Sequence, residues 1–176
     1  MSDDDFIQIF HAGEIEAQVR FNPSWNLRKS ALLARIVRGG IDDLSALFIE
    51  GCPFFFLATA DAEGHCDCSY RGREEGSDGR LFPVARVLDP HTLVFPEFSG
   101  NGMFSSLGNL LVNPQAGLLF IDFPSQSRLR VNGCAEVMTE PDDVVRALWP
   151  TALRAVRVRV EQVYWNCSRR IPKRIV

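Results

Sequence analysis

No apolar run in the chain approaches the roughly 20 residues that a membrane helix needs, so no membrane partner is expected. There is no Gly-x-Ser-x-Gly elbow, no Gly-Lys-Ser/Thr after a glycine loop, and no paired CxxC. These absences argue against Ser-His-Asp hydrolysis, P-loop nucleotide binding and a structural zinc; no metal is expected. Histidine is scarce: His11, His65 and His91 all fall in helical or turn surroundings. Charge of one sign is lacking too. Against 22 acidic residues stand 19 basic ones, a net −3 that gives no reason to expect nucleic acid as a partner. Neither an internal repeat nor a low-complexity linker divides the 176 residues, which read as one domain. The five cysteines are odd in number and follow an acidic start, Ser2 to Asp5, in place of a basic leader. Reduced thiols in a cytoplasm are the simplest expectation.

What is present is organised around Phe98 to Phe123. A glycine turn, Ser99-Gly100-Asn101-Gly102, leads into Met103, Phe104, Leu107, Leu110 and Leu111 at helical spacing, and Asn113-Pro114 stops the helix. Ala116 to Phe123 then reads as a strand buried on both faces. A glycine loop feeding a helix presents free N–H groups to an anion, and Ser105 and Ser106 add hydroxyls. Taken alone, the loop fits a tight, ligand-free connection better than an anion site.

Before it, residues 6–20 read as helical, and Ser24 to Ile36 as a second helix ended by Gly39-Gly40. A third starts at Asp42 and ends at Gly51. The period then changes. Phe54 to Ala60 is a continuous apolar strand, and Asp61 to Gly64 a hairpin turn. In the strand that follows, Cys66, Cys68 and Tyr70 share one face, while His65, Asp67, Ser69 and Arg71 share the other. The two cysteines therefore cannot converge with His65 and Asp67 on a metal, and are expected to be small core residues. Ser69 and Arg71 read equally as exposed polar residues or as a ligand-binding pair. Further strands are expected over 84–88, 92–95, 128–138 and 156–163, with a short helix from Thr139 to Trp149. Seven strands with one helix inserted between two of them predict an antiparallel barrel preceded by helices. The basic residues Arg169, Arg170, Lys173 and Arg174 are left for a phosphate or a subunit interface.

The order of motifs PFFFLATADAEG, HCDCSYRG, RVLDPHTLVFPEF, SGNGMFSSLGNLLVNP, GLLFIDF and LRVNGCAEV, with a later Asn166-Cys167, resembles the FMN-binding split-barrel family. That family includes pyridoxamine phosphate oxidase, and the likeness is to its oxidase-related branch. The resemblance implies a mainly β fold with helices, a homodimer, and FMN in a groove at the subunit interface. It implies phosphate contacts from Ser69, Tyr70 and Arg71 on the strand and from Ser99, Asn101, Gly102, Met103, Ser105 and Ser106. Val84 would lie near the flavin ring, with Asn166 and Cys167 on the substrate side. The chain departs from the authentic oxidase. Ser69 with Arg71 stands for an Arg and a Lys, Ser105-Ser106 for an Arg-Lys pair, and Trp165-Asn166-Cys167 for a C-terminal Trp and Arg signature. These departures imply a flavin oxidoreductase acting on some other small molecule. The alternatives are a non-catalytic flavin-binding sensor, or the same groove holding a deazaflavin or haem.

Overall fold

The structure is a computed structural model and describes residues 9–22, 24, 26 and 36–172. These fall into two compact units, one up to Arg38 and one from Gly39 onward. In the first, helix α1 (Ala12–Phe21) is capped by His11. The His11 Nδ1 accepts from Gly13 N–H at 3.2 Å, while Glu14 accepts from His11 N–H at 3.0 Å, so two orphan donors are satisfied reciprocally. The expected second helix falls mostly on residues 27–35, outside the described residues, as do Lys173 and Arg174.

The second unit is one seven-stranded antiparallel sheet of order β2-β1-β5-β6-β7-β4-β3. Its strands are β1 (Phe54–Ala60), β2 (Cys66–Gly72), β3 (Arg86–Asp89), β4 (Thr92–Glu97), β5 (Gln115–Asp122), β6 (Ser127–Met138) and β7 (Arg154–Asn166). Helix α2 (Asp43–Gly51) precedes them, and α3 (Ser105–Val112) and α4 (Asp143–Leu148) lie between β4 and β5 and between β6 and β7. Mostly β, antiparallel and with one helix inserted between β4 and β5, this is the expected fold class. No helix among the described residues is long and apolar enough to cross a membrane.

Alternation along the strands builds one core. Phe55 and Leu57 of β1 meet Leu118 and Phe120 of β5, Leu129 and Val131 of β6, and Val156, Val158 and Val163 of β7. Phe55 packs edge-on to Phe95 of β4 at 5.2 Å between centroids. The register between β6 and β7 shifts at Asn132/Gly133. There a Cβ on Gly133 would lie 2.2 Å from the Arg159 carbonyl oxygen, so only glycine lets the two backbones approach. Helix α2 is fixed from the far end of β7. Trp165 Nε1 donates to the buried Ser45 hydroxyl at 3.2 Å and its ring lies 4.7 Å from Phe48. A second cluster forms under α4, where the fully buried Trp149 donates to the Pro83 carbonyl at 2.6 Å.

Two expectations are corrected. Strand β5, expected to be buried on both faces, is buried on one face only, as β1 is. Phe54, Phe56 and Ala58, with Leu119 and Ile121, lie on an outer face that stays partly open. Their unbroken apolarity hides the alternation because that outer face is itself aromatic: Phe54 stacks on Tyr70 at 5.3 Å and on Phe123 at 6.1 Å. Likewise Cys66 and Cys68 are exposed rather than core residues. They sit on the outer face of an edge strand, opposite only the small Ala60 and Ala58, so no bulky neighbour covers them.

Candidate functional site: a polar cleft between β2 and α3

The β1–β2 register places Asp67, Ser69 and Arg71 opposite the buried Thr59, Leu57 and Phe55. All three therefore point inward, where α3 lies against β1, β2 and β6. Helix α3 is held there by a polar stripe at i, i+3 and i+7 spacing. Ser106 reaches Asp67 and Ser69, Asn109 donates to the buried Thr59 hydroxyl at 3.0 Å, and Asn113 donates to the Asp61 carbonyl at 3.3 Å. Beside this stripe Leu107 and Leu110 enter the core, while Leu111 and Val112 on the far side of the helix stay exposed.

Between β2 and the start of α3 lies a cleft of about 400 Å³, within the usual range for a small-molecule site. Its walls are Asp67, Ser69 and Arg71, then Glu97 at the end of β4, the loop 98–104, Ser105 to Leu107, and Leu153 with Arg154 at the start of β7. The loop takes two left-handed residues, Gly102 at φ +78° and Phe104 at φ +53°. For a phenylalanine this costs about 1–2 kcal/mol. Phe104 is also the N-cap of α3 and supplies no side-chain cap, so the first-turn N–H groups keep no side-chain partner.

The side chains of the cleft form a directed chain. Arg71 Nε donates to Ser69 Oγ at 3.1 Å, the Ser69 and Ser106 hydroxyl oxygens lie 3.0 Å apart, and Ser106 Oγ is 3.0 Å from Asp67 Oδ2. A carboxylate only accepts and each hydroxyl has one proton. Ser106 therefore donates to Asp67, and Ser69 donates to Ser106. Arg71 also forms an ion pair with Glu97, and both side chains are mostly buried, at 19% and 14% exposure. Such a pair fixes geometry more than it adds stability.

Of the residues that the resemblance implies, Ser69, Arg71, Ser99, Asn101, Gly102, Met103, Ser105 and Ser106 line this one cleft. Others lie apart from it. Tyr70 points from β2 into the outer aromatic cluster, stacked on Phe54. Val84 is buried in the core, in an irregular segment before β3. Asn166 closes β7 opposite Arg128, and Cys167 follows it, exposed. Asp67, Glu97 and Arg154 enter the site without having been singled out as ligands. For Asp67 the signal was its place on the Ser69–Arg71 face. Glu97 and Arg154 meet only through the β4–β7 register.

The histidines near the sheet are engaged elsewhere. His65 contacts Asp61 at 2.8 Å, an interaction that lowers the Asp61 carboxyl below its usual range, first through that side-chain hydrogen bond and then through the His65 backbone N–H. Asp61, Glu63 and His65 converge within 4.8 Å at the β1–β2 turn, where Asp61 accepts from two backbone N–H groups. His91 contacts the Gly39 carbonyl at 3.0 Å. Neither ring lines the cleft, so among the described residues no imidazole there offers an axial ligand to haem. Burial pushes the Cys52 thiol up to about 12, with Asp122 adding to the rise and Arg73 opposing it. That thiol is inert at neutral pH.

The family model for pyridoxamine 5'-phosphate oxidase matches residues 41–167. The chain belongs to that family. Solved structures share the fold. HupZ from Group A Streptococcus is 18% identical, with a TM-score of 0.55 over 71% of this chain and 93% of that one. A candidate pyridoxamine 5'-phosphate oxidase from Lactobacillus delbrueckii is 22% identical, with a TM-score of 0.52 over 72% and 95%. An FMN-binding protein from Syntrophomonas wolfei is 8% identical, with a TM-score of 0.51 over 69% and 83%. No curated protein matches the sequence.

Proposed function

We propose that the protein binds FMN and acts as a flavin-dependent oxidoreductase on a small molecule other than pyridoxamine phosphate. The observation that carries this reading is the cleft. Residues far apart in the chain, on β2, on a glycine loop and on the start of a helix, supply one cavity with hydroxyls, uncapped N–H groups and two guanidinium groups. That donor set suits a phosphate ester. The Ser105 hydroxyl makes no hydrogen bond to protein among the described residues, so it is available. Family membership supports the reading, as does the FMN-binding protein of the same fold.

The loop 99–103, Ser105 and a guanidinium group of the cleft would hold the phosphate end, beside Ser69 and Arg71. When bound, the flavin supplies the redox chemistry, and the protein supplies anchoring, orientation and access. Apolar side chains exposed on and beside α3, Met103, Phe104, Leu111, Val112 and Leu153, are surface that a second copy of the chain would cover. A homodimer with the cofactor at its interface accounts for them. Five free cysteines fit a reducing compartment such as the cytoplasm.

The test is the chromophore of the purified protein. FMN released on denaturation, with a dimer mass by light scattering, is the expected result. A colourless protein with no affinity for added FMN, or one carrying haem, contradicts the proposal.

A further inference from the structure

The cleft holds charges of both signs, and their placement decides where an anion goes. Asp67 and Arg71 lie four residues apart on one face of β2, a backbone separation of about 13 Å at the usual rise per residue, and their side chains are bridged by the hydroxyls of Ser69 and Ser106. Asp67 sits at the first turn of α3, where it accepts from Ser106, the second residue of the helix. A carboxylate is already placed at the positive end of that helix, and a phosphate arriving there meets its repulsion. At the other end Arg71 is committed. Its Nε donates to Ser69 and its Nη1 pairs with Glu97.

One cation of the cleft is left. Arg154 opens β7 directly opposite Glu97, yet Glu97 turns to Arg71 instead. Among the described residues Arg154 has no carboxylate partner; its guanidinium carbon lies 5.6 Å from the centroid of the Phe104 ring, which holds it at the cleft wall beside the start of α3. A half-buried guanidinium with its donor edges unused is suited to bidentate contact with a phosphate oxygen pair.

We propose that Arg154 is the residue that recognises the phosphate monoester of the ligand, and that Arg71 serves chiefly to neutralise Glu97. This deepens the FMN reading and rests on it. The ligand class is a phosphomonoester dianion attached to a flat or extended group, and Arg154 discriminates it from the same molecule without phosphate.

The experiment titrates FMN and riboflavin, which differ only in that phosphate, into the full-length protein and its variants, with thermal melts to establish folding. The wild type is expected to bind FMN more tightly than riboflavin. Arg154→Gln is expected to lose roughly 10- to 100-fold in FMN affinity while keeping its riboflavin affinity, so the preference collapses. Arg154→Lys keeps the charge but not the planar fork, and should keep part of the preference. Arg159→Gln removes one positive charge from an exposed pair with Glu161 and should keep all of it. If Arg154→Gln retains the wild-type preference, or loses FMN and riboflavin equally, the assignment of Arg154 is wrong while flavin binding stands. If Arg154→Gln melts below the assay temperature, Arg154→Lys decides, and a preference undiminished from wild type counts against the bidentate contact. A wild type that binds neither flavin overturns the FMN reading and this assignment with it.

Discussion

Strand β2 has two faces made from seven consecutive residues, and they behave as two different surfaces. Inward, Asp67, Ser69 and Arg71 form a bonded series with Ser106 and Glu97, mostly shielded from water and tied to two other elements. Outward, Cys66, Cys68 and Tyr70 are exposed, and only Tyr70 has a packing partner of any size, in the Phe54 cluster. The pleat alone separates them. The lesson is that adjacency in a motif says little about shared chemistry in a strand. Ser69, Tyr70 and Arg71 stand together in sequence, yet the tyrosine belongs to the opposite surface.

The largest break in this comparison is expected from Arg71→Ala. It removes a cation from the cleft and leaves the Glu97 carboxylate unpaired there, so FMN affinity should fall roughly 10- to 100-fold by titration. Adding Glu97→Gln to that variant should recover much of the loss, because the uncompensated charge goes with it. A double variant as weak as the single one would mean that Arg71 itself holds the phosphate. Ser106→Ala comes next. It leaves Asp67 and Ser69 without their shared hydroxyl, and should lower stability by about 1–2 kcal/mol in denaturant melts. Ser105→Ala, which removes a hydroxyl with no protein partner, should barely change stability and should weaken FMN binding less than Arg71→Ala.

The outer face should answer differently. Tyr70→Ala forfeits the stack on Phe54, about 0.5–1.5 kcal/mol beyond its lost area, and should leave FMN affinity at the wild-type value. A flavin-binding defect in a folded Tyr70→Ala protein would break the division between the faces.

How much of this could be read beforehand depends on whether the information is local. The alternation of β6 names its buried residues Leu129, Val131 and Ala135, and the same rule correctly separates Ser69 and Arg71 from Tyr70. The helix between β4 and β5 announces itself by spacing and its Asn113-Pro114 stop, though it starts at Ser105, because Phe104 takes the left-handed conformation. Burial was less legible. Cys66 and Cys68 look like core residues by type, and nothing in their own strand says that the facing residues are too small to cover them. Glu97 and Arg154 were illegible as a pair, since only the β4–β7 register brings them to one place.

The last prediction concerns pH. Cys52 is raised from 9.0 to about 12 in the folded protein. Below pH 9 the thiol is neutral whether the chain is folded or not, so its contribution to stability is fully present. Between 9 and 12 only the unfolded chain ionises, and stability declines as pH rises through that window. Cys52→Ala should flatten that decline in melts across the alkaline range, whatever it does to stability at neutral pH.

The central claim, that the cleft between β2 and the start of α3 holds the phosphate end of a flavin site, is tested most directly by a crystal structure grown with FMN. The account predicts phosphate density in the cleft, in hydrogen-bonding contact with Arg154 and the Ser105 hydroxyl, with Arg71 still paired to Glu97. Phosphate bound on the outer face beside Tyr70, or FMN bound with its phosphate outside the cleft, would contradict it.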